Sequence, residues 1–450
     1  MRNIYLILAC LLVATLSVVL IPFPDGVVAV VLVSVLSAFS IFIFRRSTDE
    51  KEFVTSVFLF ALLLRVSFGI LVHVFELRGF FGGDADLYDF NGASMADVWL
   101  GHSRMTEYLA YQNTHGSGAG WGMNYFVGLI YLIVGHNLFA AQSVCAVVGA
   151  ATAPMVFFCS KKIFNNLSVA KMSAVAIAVF PSFVIWSGQL LKDGLVIFLL
   201  VLVITMVLQL QERVGYAPFV LLVSSLFGIL SLRFYIFYMV LVAVVGSFVV
   251  GLSSSTRSIF RSTIILVLIG VSLAFLGVGQ KADVDLANFG NLERLQVTRL
   301  DQSRAGTGFA ENADLSQGGG ALSVLPIGFA YLMFAPFPWQ AANLRQAITI
   351  PEVLLWWAMI PLLVLGLVYT IKHRLRNAFP ILIFSLLLTL AYSISQGNVG
   401  TAYRQRTQIQ VFLFIIIGAG WTVFQEKREN KRILRTIARK RVDDVLRARV

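Results

Sequence analysis

Twelve apolar runs of membrane-spanning length constrain this chain more than any other feature of its sequence. A helix needs about 20 mainly apolar residues to cross the hydrocarbon core of a bilayer. Only 13% of the residues are charged, about half the share in a soluble globular chain. The sequence therefore predicts an all-α integral membrane protein with about 12 transmembrane helices, near residues 4–21, 26–44, 53–77, 138–160, 164–190, 194–210, 216–234, 236–252, 263–279, 350–371, 378–396 and 407–424.

Two further apolar stretches, 122–136 and 323–338, are short and are broken by Gly or Pro. Basic clusters decide whether these stretches cross, because cytoplasmic loops carry an excess of Lys and Arg. With twelve spans and a cytoplasmic N-terminus, every cluster falls in the cytoplasm, whereas a crossing at 122–136 would move Lys161, Arg213 and Arg257 outside. Both stretches are therefore predicted to be re-entrant or interfacial helices, and both chain termini are predicted to be cytoplasmic.

This topology divides the chain into a polytopic membrane domain, 1–424, and a basic cytoplasmic tail, 425–450. Two large loops face outward, 78–137 and 280–349, and the polar first half of the second one is typical of a mobile loop or lid. The net charge of +12 does not indicate a nucleic-acid partner, since the basic residues are dispersed between apolar runs. The cysteines all lie inside apolar runs and show no disulfide or metal spacing.

The first outer loop opens with a dense acidic motif, Gly82-Gly83-Asp84-Ala85-Asp86-Leu87-Tyr88-Asp89-Phe90. Three carboxylates directly follow a long apolar run, and the two Gly residues would let the chain turn sharply at the membrane interface. Charge placed against a bilayer is costly, so it marks a candidate functional site. We predict that this site includes Asp84, Asp86 and Tyr88.

Other charged and polar residues lie at the outer ends of further predicted spans, and they could meet the acidic motif. They are Lys192 and Asp193 after the fifth span, Arg233 between the seventh and eighth, and Tyr403, Arg404 and Arg406 before the last. Arg65 lies inside the third span, where a charge needs a partner. Arg65 is either structural or functional on the sequence alone.

Carboxylates together with several Arg and Lys residues suit the transfer of a sugar from a lipid phosphate. A carboxylate can take the proton from an acceptor hydroxyl, and Arg can hold a phosphate by paired hydrogen bonds as a leaving group gains charge. Either Asp84 or Asp86 could be the base. The pair could also hold a divalent cation, Mg²⁺ or Mn²⁺, that bridges diphosphate oxygens. Arg404, Arg406, Arg233 and Lys192 are the predicted ligands of the donor phosphate.

The order of these motifs resembles the GT-C superfamily of polytopic membrane glycosyltransferases. Over residues 53–210, Arg65 is followed by Gly83 to Tyr88, an amphipathic segment that ends in Gly135, and a small-residue helix that ends in Lys161-Lys162-Ile163-Phe164. A helix with Pro181, Ser187 and Asp193 comes next. The resemblance implies that the acidic motif carries the catalytic base and that Asp193 is a second acidic residue near the active site.

The resemblance also implies a bacterial inner-membrane enzyme with a periplasmic active site. Its substrates would be a polyprenyl-phosphate or polyprenyl-diphosphate sugar donor and an envelope glycan or lipid acceptor, and other proteins of polysaccharide assembly would be compatible partners. One alternative is a polymerase or ligase that joins whole lipid-linked repeat units. An alternative of another class is a flippase for lipid-linked glycans, which would need polar residues along a path through the membrane.

Overall fold

The computed structural model describes residues 2–102, 120–250, 256–278, 292–304, 306–310, 320–341 and 343–447. Within these ranges the chain is helical, and the only bridge between extended segments joins Gly308 to Asn398. Several helices are long and apolar, which confirms the prediction of an all-α, multi-pass membrane protein. Of the polar part of the second outer loop, 280–319, the structure describes residues 292–304 and 306–310.

The first half of the chain forms helices on both sides of the acidic motif. They are α1 (Arg2–Leu20), α2 (Asp25–Arg46), α3 (Lys51–Val74), α4 (Arg78–Phe81), α5 (Asp84–Trp99), α6 (Trp121–Val134), α7 (Leu138–Phe164), α8 (Leu167–Val179), α9 (Pro181–Ser187) and α10 (Lys192–Glu212). The central helices α7 and α10 are the most deeply buried of these, since they contribute much of the main apolar core.

The second half contributes helices that close the bundle around α10. They are α11 (Tyr216–Leu232), α12 (Phe234–Val250), α13 (Thr256–Phe275), α14 (Leu292–Ser303), α15 (Gly320–Phe334), α16 (Leu344–His373), α17 (Leu375–Ser395) and α18 (Val399–Arg447). Helices α16 and α18 approach closely at two glycines. A Cβ atom added to Gly366 would lie 2.0 Å from the Ile416 carbonyl oxygen. A Cβ atom added to Gly420 would lie 2.0 Å from the Leu362 carbonyl oxygen. Small residues permit such close packing between membrane helices.

Seven described helices are long and apolar enough to cross a membrane, and the bent pair α8 and α9 raises the count to eight. Six shorter apolar helices include α6 and α15. These two coincide with the stretches predicted not to cross, and at 14 and 15 residues they are about 21 to 23 Å long, shorter than the hydrocarbon core. The predicted number of twelve spans is not confirmed.

Two helix starts were not predicted. Asp84, in the first outer loop, begins helix α5 after a turn at Gly82, whose φ of +132° favours glycine. Arg404 and Arg406, predicted just before the last span, are already helical. They belong to the first turns of α18, which continues without a break through the boundary predicted at residue 424.

The two ends of helix α10 carry different polar clusters. At its C-terminal end, Glu212 accepts a 2.7 Å ion pair from Lys162, and the carbonyl oxygens of Gln211 and Glu212 accept hydrogen bonds from Arg261. At its N-terminal end lies Asp193, which pairs with arginines from other helices. Lys162 and Arg261, two of the basic residues predicted to be cytoplasmic, therefore lie at the opposite end of α10 from Asp193.

A break at Phe180 bends the α8–α9 pair by 56°. Helix ends leave backbone groups without partners, and buried charges of opposite sign lie at the two sides of this break. Arg65 donates to the Ile177 and Ala178 carbonyl oxygens at the end of α8, at 3.2 and 3.3 Å. Glu352 of α16 accepts a hydrogen bond from Ser182 in the first turn of α9. Arg65 therefore has partners within the protein, and the choice between its structural and its functional alternative stays a prediction.

Candidate active site

The centre of the candidate site is Arg404, whose guanidinium lies between two carboxylates. Arg404 Nη1 donates to Asp84 Oδ2 at 2.7 Å, and Arg404 Nε donates to Asp193 Oδ2 at 2.7 Å. Asp193 is fully buried, whereas the Asp84 side chain is 49% exposed. Residues from the acidic motif, the start of α10 and the start of α18 therefore meet in one ion-pair network.

A second arginine completes the burial of Asp193. Arg233 is the single residue between α11 and α12, and its Nη2 donates to Asp193 Oδ1 at 2.7 Å. Its Nη1 donates to the Tyr235 hydroxyl at 2.6 Å. Arginine stays protonated in proteins, so Arg233 is a fixed cation between these two partners.

Behind these arginines lies a polar layer that sequence reasoning missed. The Tyr392 hydroxyl donates to Gln408 Oε1 at 2.6 Å and lies 3.4 Å from the Tyr235 hydroxyl, while Gln408 Nε2 lies 3.5 Å from Asp193 Oδ1. One signal was available, since Gln408 follows Arg404 by four residues and so shares its face of α18. Tyr392 carried no such signal because its contact depends on how α17 packs.

A cavity of about 710 Å³ opens in front of this network. Its charged lining residues are one acid, Asp84, and four cations, Lys192, Arg233, Arg345 and Arg404. Asp193 is not among the lining residues; it holds Arg233 and Arg404 from behind. Apolar lining comes from Phe80, Phe81, Ile185, Trp186, Pro336, Ile348 and Val399. The cavity therefore combines a surplus of positive charge with an apolar side.

The side chains of the two candidate bases, Asp84 and Asp86, lie on different faces of one helix. Asp84 and Asp86 both lie in the first turn of α5, and side chains two residues apart on a helix do not face each other. Asp84 lines the cavity, while Asp86 is 61% exposed and lies 3.7 Å from Arg78 Nε. Within the described residues, no group of three or more His, Cys, Asp or Glu side chains is placed to hold a metal. The predicted divalent cation stays a prediction. Of its two predicted ligands, Asp84 lines the cavity and Asp86 does not.

Lys192 and Tyr88 meet beside the cavity. Lys192 Nζ lies 5.9 Å from the centre of the Tyr88 ring, and among the described residues no carboxylate oxygen lies within 4.0 Å of it. Tyr88 is 7% exposed. Burial, together with the negative charges of Asp84 and Asp193, raises its pKa to about 12. Tyr88 therefore stays neutral at physiological pH, and Lys192 has no ion-pair partner among the described residues.

Two predicted substrate ligands have their polar groups bound within the protein. Arg406 is fully buried, and its Nη1 donates to the Met333 and Ala335 carbonyl oxygens at the end of α15. Cations commonly bind the carbonyls of a helix C-terminus in this way. Tyr403 lines the cavity, but its hydroxyl donates to Glu352 at 2.7 Å. The fold thus places Arg406 and Arg65 at helix ends. It brings four other predicted site residues into one network: Asp84, Asp193, Arg233 and Arg404.

No family model matches the chain, and no curated protein matches it. Two solved structures are similar in part, and both are crystal structures of ArnT from Cupriavidus metallidurans. The one bound to undecaprenyl phosphate is 15% identical with a TM-score of 0.42, over 67% of this chain and 49% of that chain. The apo structure is 14% identical with a TM-score of 0.39, over 66% and 48%.

The chain therefore spans about half the length of the structures it matches. The likeness concerns part of the helix arrangement, and at these TM-scores it assigns neither an activity nor a substrate.

Proposed function

We propose that this protein is a membrane glycosyltransferase that moves a sugar from a polyprenyl-phosphate or polyprenyl-diphosphate donor to a hydroxyl of an envelope acceptor. The observation that carries the proposal is the Asp84–Arg404 pair at the edge of a cation-rich cavity. An exposed carboxylate and a phosphate-binding guanidinium are the two groups that such a transfer needs, and here they are in contact.

The donor phosphate fits the positively charged side of the cavity. Lys192, Arg233 and Arg404 converge there, and only Asp84 and the buried Asp193 oppose them. The apolar residues Phe80, Phe81 and Ile348 would face the lipid part of the donor.

Asp84 is the residue placed to act as the base. Its Oδ2 binds Arg404, and no hydrogen bond from a described residue engages its Oδ1. In the proposed step, Asp84 takes the proton of the acceptor hydroxyl as the hydroxyl oxygen bonds to the anomeric carbon of the sugar. The bond from that carbon to the phosphate oxygen breaks, and the polyprenyl phosphate leaves with the electron pair. Arg404 and Lys192 stabilise the charge that develops on the leaving phosphate.

The proposed location is the inner membrane of a bacterium, with both termini in the cytoplasm and the cavity on the periplasmic face. Positive-inside statistics support this orientation, because the clusters around Lys162, Arg261 and Arg45 lie away from the cavity. The cytoplasmic tail is then the exposed basic part of α18.

The decisive experiment uses the purified protein in lipid nanodiscs with lipid-linked sugars and acceptor glycans extracted from source-cell membranes. Wild type and Asp86→Asn should transfer labelled sugar, whereas Asp84→Asn should lose about 10²- to 10⁴-fold in rate, the usual contribution of a general base. Equal rates for Asp84→Asn and wild type would overturn the role of Asp84. Movement of lipid-linked glycan across vesicles without a covalent product would overturn the enzyme itself.

A further inference from the structure

The lining of the cavity has two kinds of polar residue, which we call its charged and its uncharged wall. The uncharged wall carries amide and hydroxyl groups from Thr307, Asn343, Gln346, Thr349, Asn398, Thr401 and Gln405. Arg345, a further lining cation, is exposed, donates to the Gly79 carbonyl oxygen at 3.0 Å and lies over the Phe80 ring. The uncharged wall suits an uncharged polar ligand.

Part of this uncharged wall is supplied by segment 306–310, which belongs to the second outer loop. Phe309 N donates to the Gly397 carbonyl oxygen at 2.8 Å, and Val399 N donates to that of Thr307 at 3.0 Å. These two bonds form the bridge between Gly308 and Asn398. The Thr307 hydroxyl also donates to Asn398 Oδ1 at 3.0 Å. The segment is therefore attached to the start of α18.

An apolar cluster anchors the same segment. Phe309 is 6% exposed, and its ring stacks on Tyr331 with the centroids 4.2 Å apart. Val399 and Ala335 complete the cluster. The packing leaves no room for side chains at two glycines. A Cβ atom on Gly308 would lie 1.6 Å from the Ser303 carbonyl oxygen, and a Cβ atom on Gly397 would lie 2.6 Å from the Arg299 carbonyl oxygen. Thr307 is thus held on the cavity by packing as well as by hydrogen bonds.

The first turns of α18 connect the two walls. Thr401, Arg404 and Gln405 all line the cavity, and residues three and four positions apart lie on one face of a helix. Gln405 Oε1 accepts from Gln396 at 2.6 Å, which leaves its amide group to donate. A group bound by Thr401 and Gln405 would therefore lie next to Arg404, and so next to Asp84.

We infer that segment 306–310 and the first turns of α18 form the acceptor subsite, and that the acceptor is an uncharged, hydroxyl-rich glycan. Sugar hydroxyls both donate and accept, and hydroxyl and amide side chains do the same. An acidic glycan would instead be drawn to Lys192 and compete with the donor phosphate. The inference rests on the proposed function, since it places a neutral acceptor beside a donor held by its phosphate.

The test measures acceptor binding apart from donor binding. Protein in nanodiscs is saturated with undecaprenyl phosphate, and neutral and acidic oligosaccharide fractions released from the source-cell envelope are then added. We expect the neutral fraction to bind, and the double variant Thr401→Val with Gln405→Leu to weaken this binding about tenfold or more. The Kd for undecaprenyl phosphate should change less than twofold. Equal binding of the neutral fraction by wild type and variant, or binding of the acidic fraction alone, would overturn the inference.

The attachment of the loop is tested by two glycines on opposite sides of one contact. Gly308→Ala and Gly397→Ala should each raise the acceptor KM about tenfold while the donor Kd is kept. Gly270→Ala is the control, since no heavy atom lies within 4 Å of a Cβ at that position. Unchanged acceptor KM in both interface variants would show that segment 306–310 is not part of the subsite.

The two levels of the proposal fail in different ways. If wild-type protein neither binds undecaprenyl phosphate nor transfers labelled sugar, the proposed function fails, and the acceptor inference fails with it. If wild type transfers sugar and the wall variants keep the wild-type acceptor KM, only the acceptor inference is overturned.

Discussion

Arg404 Nη1 lies 2.7 Å from Asp84 Oδ2, although the two residues are 320 positions apart in the chain. The contact joins the proposed base to a proposed phosphate ligand. When Asp84 takes a proton it loses its negative charge, and Arg404 is then free to pair with the leaving phosphate. In the proposed step, proton transfer and stabilisation of the leaving group would therefore be coupled through a single guanidinium.

Replacement of Arg404 by lysine tests this coupling. Arg404 reaches Asp84 and Asp193 at once, whereas an ammonium is a point charge that cannot reproduce the planar, paired geometry. We expect Arg404→Lys to lower kcat/KM for sugar transfer about 100-fold in steady-state assays. Arg428→Lys, on the exposed part of the same helix, is the matched control. Full activity of Arg404→Lys would show that charge alone suffices at this position.

Removal of the Lys192 charge should mainly weaken the binding of the donor phosphate. Lys192 lines the cavity without a carboxylate partner among the described residues, and a hydrogen bond to a charged group contributes about 1.5–3 kcal/mol. Lys192→Met should therefore weaken binding of undecaprenyl phosphate about tenfold or more, as measured by titration in nanodiscs. Lys162→Met, at the opposite end of the bundle, should leave the Kd unchanged. An unchanged Kd in Lys192→Met would remove this residue from the phosphate site.

Asp193 should be essential for stability rather than for chemistry. It is fully buried between two arginines, and loss of one partner from a buried ion pair costs about 3–5 kcal/mol. We expect Asp193→Asn to lower the unfolding temperature in detergent clearly more than Asp84→Asn, whose carboxylate is half exposed. A normal unfolding temperature together with lost activity would instead assign Asp193 to catalysis, as the family resemblance implies.

The break between α8 and α9 predicts a different pattern. Arg65→Met leaves the Ile177 and Ala178 carbonyl oxygens without a donor, and an unsatisfied buried polar group costs about 1–3 kcal/mol. Glu352→Gln keeps the shape of the side chain but removes its charge beside Ser182. Both variants should melt at lower temperature, and their folded fraction should bind undecaprenyl phosphate like wild type. If either variant melts at the wild-type temperature but no longer binds undecaprenyl phosphate, the residue that it replaces contacts the substrate instead.

Four site residues could be predicted because each lies where an apolar run ends. Asp84, Asp193, Arg233 and Arg404 all interrupt the hydropathy pattern at span boundaries, and charge is costly there. Their convergence followed from the topology count, which places these boundaries on one side of the membrane. The pairing itself was not predictable, since it depends on the packing of α10 against α18.

The sequence could not show which of Asp84 and Asp86 faces the cavity, because it did not show that the two residues lie on different faces of a helix. Residues 84–99 contain Gly92 and several polar residues, so their apolar periodicity is too weak to distinguish a helix from a loop. The partners of Arg406 could not be predicted for a related reason. They are the Met333 and Ala335 carbonyl oxygens, and where a distant helix ends is a property of tertiary packing. Charge in an apolar run thus indicates a buried partner without identifying it as a helix end or a substrate.

Helix α18 extends without interruption from Val399 to Arg447. At about 1.5 Å per residue, Arg404 and Arg435 are about 46 Å apart on one axis, longer than the hydrocarbon core is thick. A C-terminal affinity tag or fluorescent fusion would therefore be joined to the same helix that carries the proposed phosphate ligand. Such fusions need a flexible Gly/Ser linker, because a rigid joint would apply any torque on the fused domain directly to the helix of Arg404.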